Sequence, residues 1–128
     1  MKNCSVRVVR LDGDMWQIRA QDGEEVCASL KVRCLSECTC VGVIFHLETL
    51  LPYRQQGLAL RLMREVETLA AREGISLLVS TVRASNTPCR ALHSKMGYKV
   101  AQAWNNERTR NDLILFCKRL RRPLFPVW

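Results

Sequence analysis

The sequence predicts an α+β (α/β) fold: a mixed, mostly antiparallel sheet of about seven strands with two helices. Three observations carry this. The first half alternates apolar and polar residues between Asp-Gly turn pairs. One segment, from Leu58 to Leu69, switches to helical spacing. The remainder is short apolar runs separated by Gly, Asn and Pro signals.

Each element has a local reason. Val6, Val8 and Val9 begin an alternating run that stops at the turn pair Asp12-Gly13. Trp16, Ile18 and Ala20 alternate with Gln17 and Arg19 until Asp22-Gly23 turns the chain again. Val26, Ala28, Leu30, Val32 and Cys34 form a third strand, closed by an expected turn at Ser36-Glu37. Thr39 to Thr49 is nearly continuous in apolar residues, as in a strand buried on both faces. After Gly57, Leu58, Leu62, Val66 and Leu69 fall on one helical face, with Arg61, Arg64, Glu65, Glu67 and Arg72 opposite. Gly74 marks its end. Ile75 to Val82 reads as a strand. Asn86-Thr87-Pro88 opens a short helix, with a capping residue and then Pro in the first turn, and Gly97 closes it. Tyr98 to Trp104 and Leu113 to Lys118 are the last two strands, joined by a turn at Asn105-Asn106-Glu107. The order is β-β-β-β-α-β-α-β-β.

At 128 residues the chain suits one domain, with 1–120 as core and 121–128 as a tail. A charged fraction of 25% excludes global disorder. No apolar run reaches the roughly 20 residues of a membrane span, and Met1 to Arg7 lacks the apolar core of a secretory signal. The expected location is therefore cytoplasmic, with no membrane partner. Twenty Lys and Arg against twelve Asp and Glu give +8, which favours polyanionic partners such as nucleic acid or a phosphate-bearing cofactor. The basic run Lys118-Arg119-Leu120-Arg121-Arg122 reads as a solvated terminus. Cys34, Cys38 and Cys40 crowd ahead of His46, but there is no C-x-x-C pair. The seven cysteines are read as reduced core fillers, and no metal is expected.

The chemistry concentrates at the joint between the fourth strand and the long helix. Arg54-Gln55-Gln56-Gly57-Leu58-Ala59 puts a glycine and a small residue at a helix start. Unpaired amides and the macrodipole make such a start attractive to phosphate. Alone, R-x-x-G-x-A is a weak signal. About thirty residues later comes Asn86, followed by Ala91-Leu92-His93-Ser94-Lys95-Met96-Gly97-Tyr98. The pair of motifs, from about Val41 to Val100, resembles the GNAT superfamily of N-acetyltransferases. Its signature is a Q/R-x-x-G-x-G/A turn after a central strand, then N-x-x-A-x-x-L-Y-x-K-x-G-F or a close variant.

The resemblance implies a sheet splayed between strands 4 and 5, with acetyl-CoA in the opening. Its pyrophosphate would meet the amides of Gln55, Gln56, Gly57, Leu58, Ala59 and Leu60, helped by Arg54. Its pantetheine arm would pair with backbone at Thr49, Leu50 and Leu51, and Asn86 would hold the arm near the second helix. The implied activity is direct attack of a primary amine on the thioester. His46 and Glu48, two apart and hence expected on one face of the strand, are the candidate bases; the plainer reading is a core histidine and an ion-paired carboxylate. His93 stands where the family keeps a tyrosine acid, either as a replacement acid or as an ordinary helix residue. Cys89 is its neighbour.

Two departures matter. The usual Tyr is absent, and Leu11-Asp12-Gly13-Asp14 replaces the one or two helices normally found between strands 1 and 2. The acceptor site is then expected to be open or completed by a second subunit in a homodimer, with the apolar tail Pro123 to Trp128 as a cover. The expected function is an acetyl-CoA-dependent N-acetyltransferase acting on a small amine, a protein N-terminus or a lysine. The alternative is a catalytically reduced CoA-binding or protein-interaction module of the same fold. A nucleic-acid binder ranks last, because only 6% of residues are aromatic and no stacking stripe is visible.

Overall fold

A computed structural model describes residues 4–35, 38–104 and 112–120. In chain order they form β1 (Ser5–Arg10), β2 (Met15–Asp22), β3 (Glu25–Leu35), β4 (Cys38–Thr49), a 3-10 turn (Leu51–Tyr53), α1 (Leu58–Arg72), β5 (Leu77–Arg83), α2 (Thr87–Lys95), β6 (Lys99–Trp104) and β7 (Leu113–Arg119). The strands make one sheet in the order β1-β2-β3-β4-β5-β7-β6. All neighbours are antiparallel except β4 and β5. The expected element order is therefore observed, with the 3-10 turn as an addition. The expected turns at 36–37 and 105–107, and the tail 121–128, lie outside the described residues. Among the described residues, no helix is long and apolar enough to cross a membrane.

Hairpins build the first half. Gly23 takes the left-handed conformation, φ 64°, that the tight turn between β2 and β3 requires. Trp16, Ile18 and Ala20 are buried on one side of β2, and Leu30 and Val32 extend that face across β3. β1 and β2 are joined by Leu11–Asp14 alone, with no intervening helix.

The parallel pair needs a crossover, and α1 supplies it. Leu58, Leu62, Met63, Val66, Leu69 and Ala70 form its buried stripe, packed against β2, β3 and β4. Each fully buried Leu, Val or Met there contributes about 1.5–3 kcal/mol. Gly74, at φ 76°, ends the helix, and the Ile75 amide donates back to the Ala70 carbonyl at 2.8 Å.

β4 is less buried than its apolar run predicts. Ile44 is buried, Val43 and Phe45 are half-buried, and His46 and Glu48 are exposed. The reason is that β4 pairs with β5 over a short stretch only, Val41–Ile44 against Leu77–Ser80. Beyond it the two strands part, so the second half of β4 loses its cover on that side. The basic run is also not wholly solvated. Lys118 Nζ donates to Glu67 Oε1 at 2.8 Å and to the Met96 carbonyl at 2.7 Å.

Candidate active site

The loop after β4 is anchored before it is exposed. Tyr53 is buried, and its hydroxyl donates to Glu25 Oε2 at 2.7 Å. That bond, and then burial, push the phenol pKa up. Arg54 Nε donates to the Thr49 carbonyl at 3.0 Å, bracing the loop across its base. Gln55 and Gly57 both adopt positive φ, 64° and 76°. Gly57 is the N-cap of α1 and carries no capping side chain, and the first turn holds no acidic residue. The first amide bonded back into the helix is Arg61 N–H, to the Gly57 carbonyl at 3.1 Å. The amides of Leu58, Ala59 and Leu60 are therefore left without helical acceptors. A Cβ at Gly57 would meet nothing within 4 Å, so the approach to these amides is open. The site suits an anion, favoured by the helix dipole.

The parting of β4 and β5 opens a cleft of about 210 Å³. One wall is Ile44–Leu47 of β4; the other is Ser80–Arg83 of β5; Asn86, Cys89 and His93 come from α2. Main chain of β4 from Phe45 onward has no partner in β5. Leu50 and Leu51, just beyond, are exposed. The Leu50 amide is used by the Cys27 carbonyl at 2.9 Å, and Thr49 pairs with Ala28 of β3.

His46 and Glu48 do not share a site, contrary to the expected alternation. Ser29 pairs with Glu48 and Lys31 with Phe45, so His46 and Leu47 both stand opposite Leu30. This bulge puts His46 at φ 54° and breaks the period of two. His46 lines the cleft, with the Phe45 ring edge-on at 4.9 Å. Glu48 lines a separate hollow of about 120 Å³ with Val26–Ser29 and Leu50.

Asn86 caps α2: its Oδ1 accepts from the Cys89 amide at 3.2 Å, and the residue lines the cleft. His93 has no solvent exposure, and both ring nitrogens are engaged. Nδ1 lies 2.7 Å from the Cys89 carbonyl, which can only accept, so Nδ1 carries the proton. Nε2 then accepts from the Ser80 hydroxyl at 2.9 Å. Tyr98 and Phe116 hold the ring, at 5.2 and 4.9 Å between centroids. Burial lowers the His93 pKa and, alongside it, raises that of the Cys89 thiol. His93 thus offers no free N–H to the cleft. Ser80 is the residue that sequence reasoning passed over. Its only signal was a hydroxyl inside the apolar run Ile75 to Val82. Among the described residues no group of three His, Cys, Asp or Glu side chains is arranged to hold a metal ion.

A family model described as acetyltransferase (GNAT) family matches residues 7–98. The chain belongs to the GNAT family. No curated protein matches it significantly. Among solved structures, the GNAT chain is similar to the ribosomal-protein-S18-alanine N-acetyltransferase of Escherichia coli: 17% identity, TM-score 0.76, covering 91% of this chain and 76% of that one. A GNAT acetyltransferase from Elizabethkingia anophelis, solved with acetyl-CoA bound, aligns at 14% identity and TM-score 0.79, covering 94% of this chain and 100% of that one. Arabidopsis thaliana NAA60, in complex with a bisubstrate analogue, aligns at 18% identity and TM-score 0.74, covering 88% and 79%. At these identities the likeness is one of fold, and the seven-stranded sheet with a parallel β4–β5 pair is that GNAT fold.

Proposed function

We propose that this GNAT protein is an acetyl-CoA-dependent N-acetyltransferase acting on a primary amine. The observation that carries the reading is a continuous one. The unpaired amides of Leu58 to Leu60 stand beside a strand whose β5-facing edge is free from Phe45 onward. Such a surface suits a ligand with an anionic group at one end and an extended amide arm, and acetyl-CoA fits both requirements. The pyrophosphate would be held by amides of Gln55 to Leu60, with Arg54 as the neighbouring cation. The arm would lie along β4 toward Thr49 to Leu51, within reach of Asn86. The bound group supplies an acetyl thioester, an acyl group already activated toward nitrogen.

The chain supplies orientation and proton handling. His46 lines the cleft and is the base of this proposal, since a neutral imidazole carries a nitrogen lone pair that can accept the amine proton. Glu48, facing its own hollow, takes no part in activating the acceptor amine. That acceptor is a small amine, a protein N-terminus or a lysine. The fully engaged His93 favours one alternative, a CoA-binding module without turnover.

Calorimetric titration with acetyl-CoA tests the binding step. Wild type is expected to give a saturable heat. Gly57→Glu, which sets a carboxylate among the same amides, is expected to weaken it at least about tenfold while circular dichroism stays native. A folded wild type that gives no heat overturns the reading. Thiol release over a panel of amines then separates enzyme from module, and His46→Ala is expected to slow it by about a hundredfold. An unchanged rate removes His46 as base.

A further inference from the structure

We propose that the face of the sheet turned away from α1 and α2 docks an acidic amphipathic helix of a partner protein. Both helices lie on one side. α1 covers β2, β3 and β4. α2 sets His93 against Ser80 of β5 and Phe116 of β7. Lys118 of β7 reaches Glu67 of α1 and the Met96 carbonyl from that same side. Among the described residues no helix packs on the other side, and the short link Leu11–Asp14 takes β1 straight into β2. A solvent-facing side of a sheet is ordinarily polar. Here alternation and register bring Val43 and Phe45 of β4, Val79 of β5, and Leu115 and Cys117 of β7 onto it together. Trp104 of β6, 46% exposed, stands at the margin beside Leu113.

The rim of this apolar strip is cationic. Arg7, Arg19, Lys31 and Arg33 carry the charge on β1 to β3. Arg83, Lys99 and Arg119 carry it at strand ends on the far side. Glu48 is the one carboxylate among the described strand residues of this face. An apolar centre inside a charged rim is the anatomy of a protein interface, and the sign of the rim selects the occupant. A second copy of the chain would set one cationic rim against another, which is costly. The chain's own last residues bring Arg121 and Arg122 and no acid. Nucleic acid would answer the charge but not a centre that is mainly aliphatic, with no row of aromatics for stacking. A helix with an apolar stripe and glutamates along its edges answers both, and a helix laid on a sheet is an ordinary way to cover one. β5 and β7 are seven residues long, roughly 23 Å, so a helix of about 16–18 residues crosses the face.

The test uses the full chain without coenzyme and a fluorescein-labelled peptide of about 18 residues, with leucine at every third or fourth position and glutamate or alanine elsewhere. Both peptide ends are blocked, so it offers no amine, and docking is read apart from any acetyl transfer. Anisotropy is expected to saturate at micromolar concentration, and the affinity to fall as salt is raised. A scrambled peptide of the same composition, without the stripe, is expected not to bind. The double variant Lys31→Glu/Arg33→Glu is expected to bind the glutamate peptide at least about tenfold more weakly and to bind a lysine-for-glutamate version in its place. Arg64→Glu, on the exposed side of α1, is expected to change nothing. A folded wild type that leaves the striped peptide free overturns the proposal. So does equal binding of the scrambled peptide, which would mean charge without a built surface. A dimer in light scattering that Lys31→Glu/Arg33→Glu splits into monomers gives the face to a second copy and overturns it as well.

Discussion

His93 illustrates how burial decides a residue's chemistry. In sequence it occupies the position of a family tyrosine, and an imidazolium there would be an adequate acid. In the fold it is enclosed by Tyr98, Phe116 and Ser80, and burial lowers its pKa despite the opposing bond to the Cys89 carbonyl. The folded state therefore prefers the neutral ring, while the unfolded chain takes up a proton below about pH 6.5. Because the unfolded state then binds more protons, stability is expected to fall as pH drops below that value and to level off below the folded pKa. Above about pH 6.5 this group adds no pH dependence. Urea unfolding of wild type between pH 8 and 5 is expected to show a falling midpoint, and His93→Gln a smaller fall. Equal slopes in the two proteins would mean that other groups carry the effect. The position of His93 was legible from the motif. Its partner was not, because Ser80 lies thirteen residues away in another element and carries no motif of its own.

At the scale of elements, β2, β3 and α1 were readable because one face of each is buried and the period declares it. β4 was readable as a strand but not in its details. A bulge changes which side chain faces the cleft, and Phe45-His46-Leu47-Glu48 alternate apolar and polar straight through it, so the pattern of types carries no mark of the slip. The splay was likewise invisible to periodicity and entered through the resemblance. Gly42 shows how the closed part of the pair is made. It faces Leu78 in β5, and a Cβ added to it would lie 3.1 Å from Leu78 Cδ2 and 3.2 Å from Ile75 Cδ1. Both neighbours are buried, so they have little room to yield. Gly42→Val is expected to cost about 1–3 kcal/mol through overpacking, read as a lower urea midpoint at unchanged slope. If the midpoint holds, the β4–β5 seam is looser than its contacts indicate.

At the scale of the whole molecule, the splay divides the sheet into β1–β4 and β5–β7–β6, joined by a short parallel seam. Lys118 adds a second tie. From β7 its ammonium reaches Glu67 on α1 and the Met96 carbonyl at the end of α2, so one side chain links three elements. In sequence this lysine belongs to a basic run whose default is solvent. What moves it inside is register, since Lys118 pairs with Leu78 at the closed end of the cleft. An exposed ion pair contributes about 0–1 kcal/mol. Here both partners are about three-quarters covered, at 26% and 23% side-chain exposure, and a carbonyl takes a further proton of the ammonium. Lys118→Met keeps the stem and removes both charge-assisted bonds, so the expected loss is about 1–3 kcal/mol. Glu67→Gln in the Lys118→Met background is expected to recover part of that loss, because it removes the carboxylate left without its cation. The coupling from the double-mutant cycle is expected to exceed about 0.5 kcal/mol. A coupling of zero would return Lys118 to the solvated run and leave the two halves of the sheet held by the seam and α1.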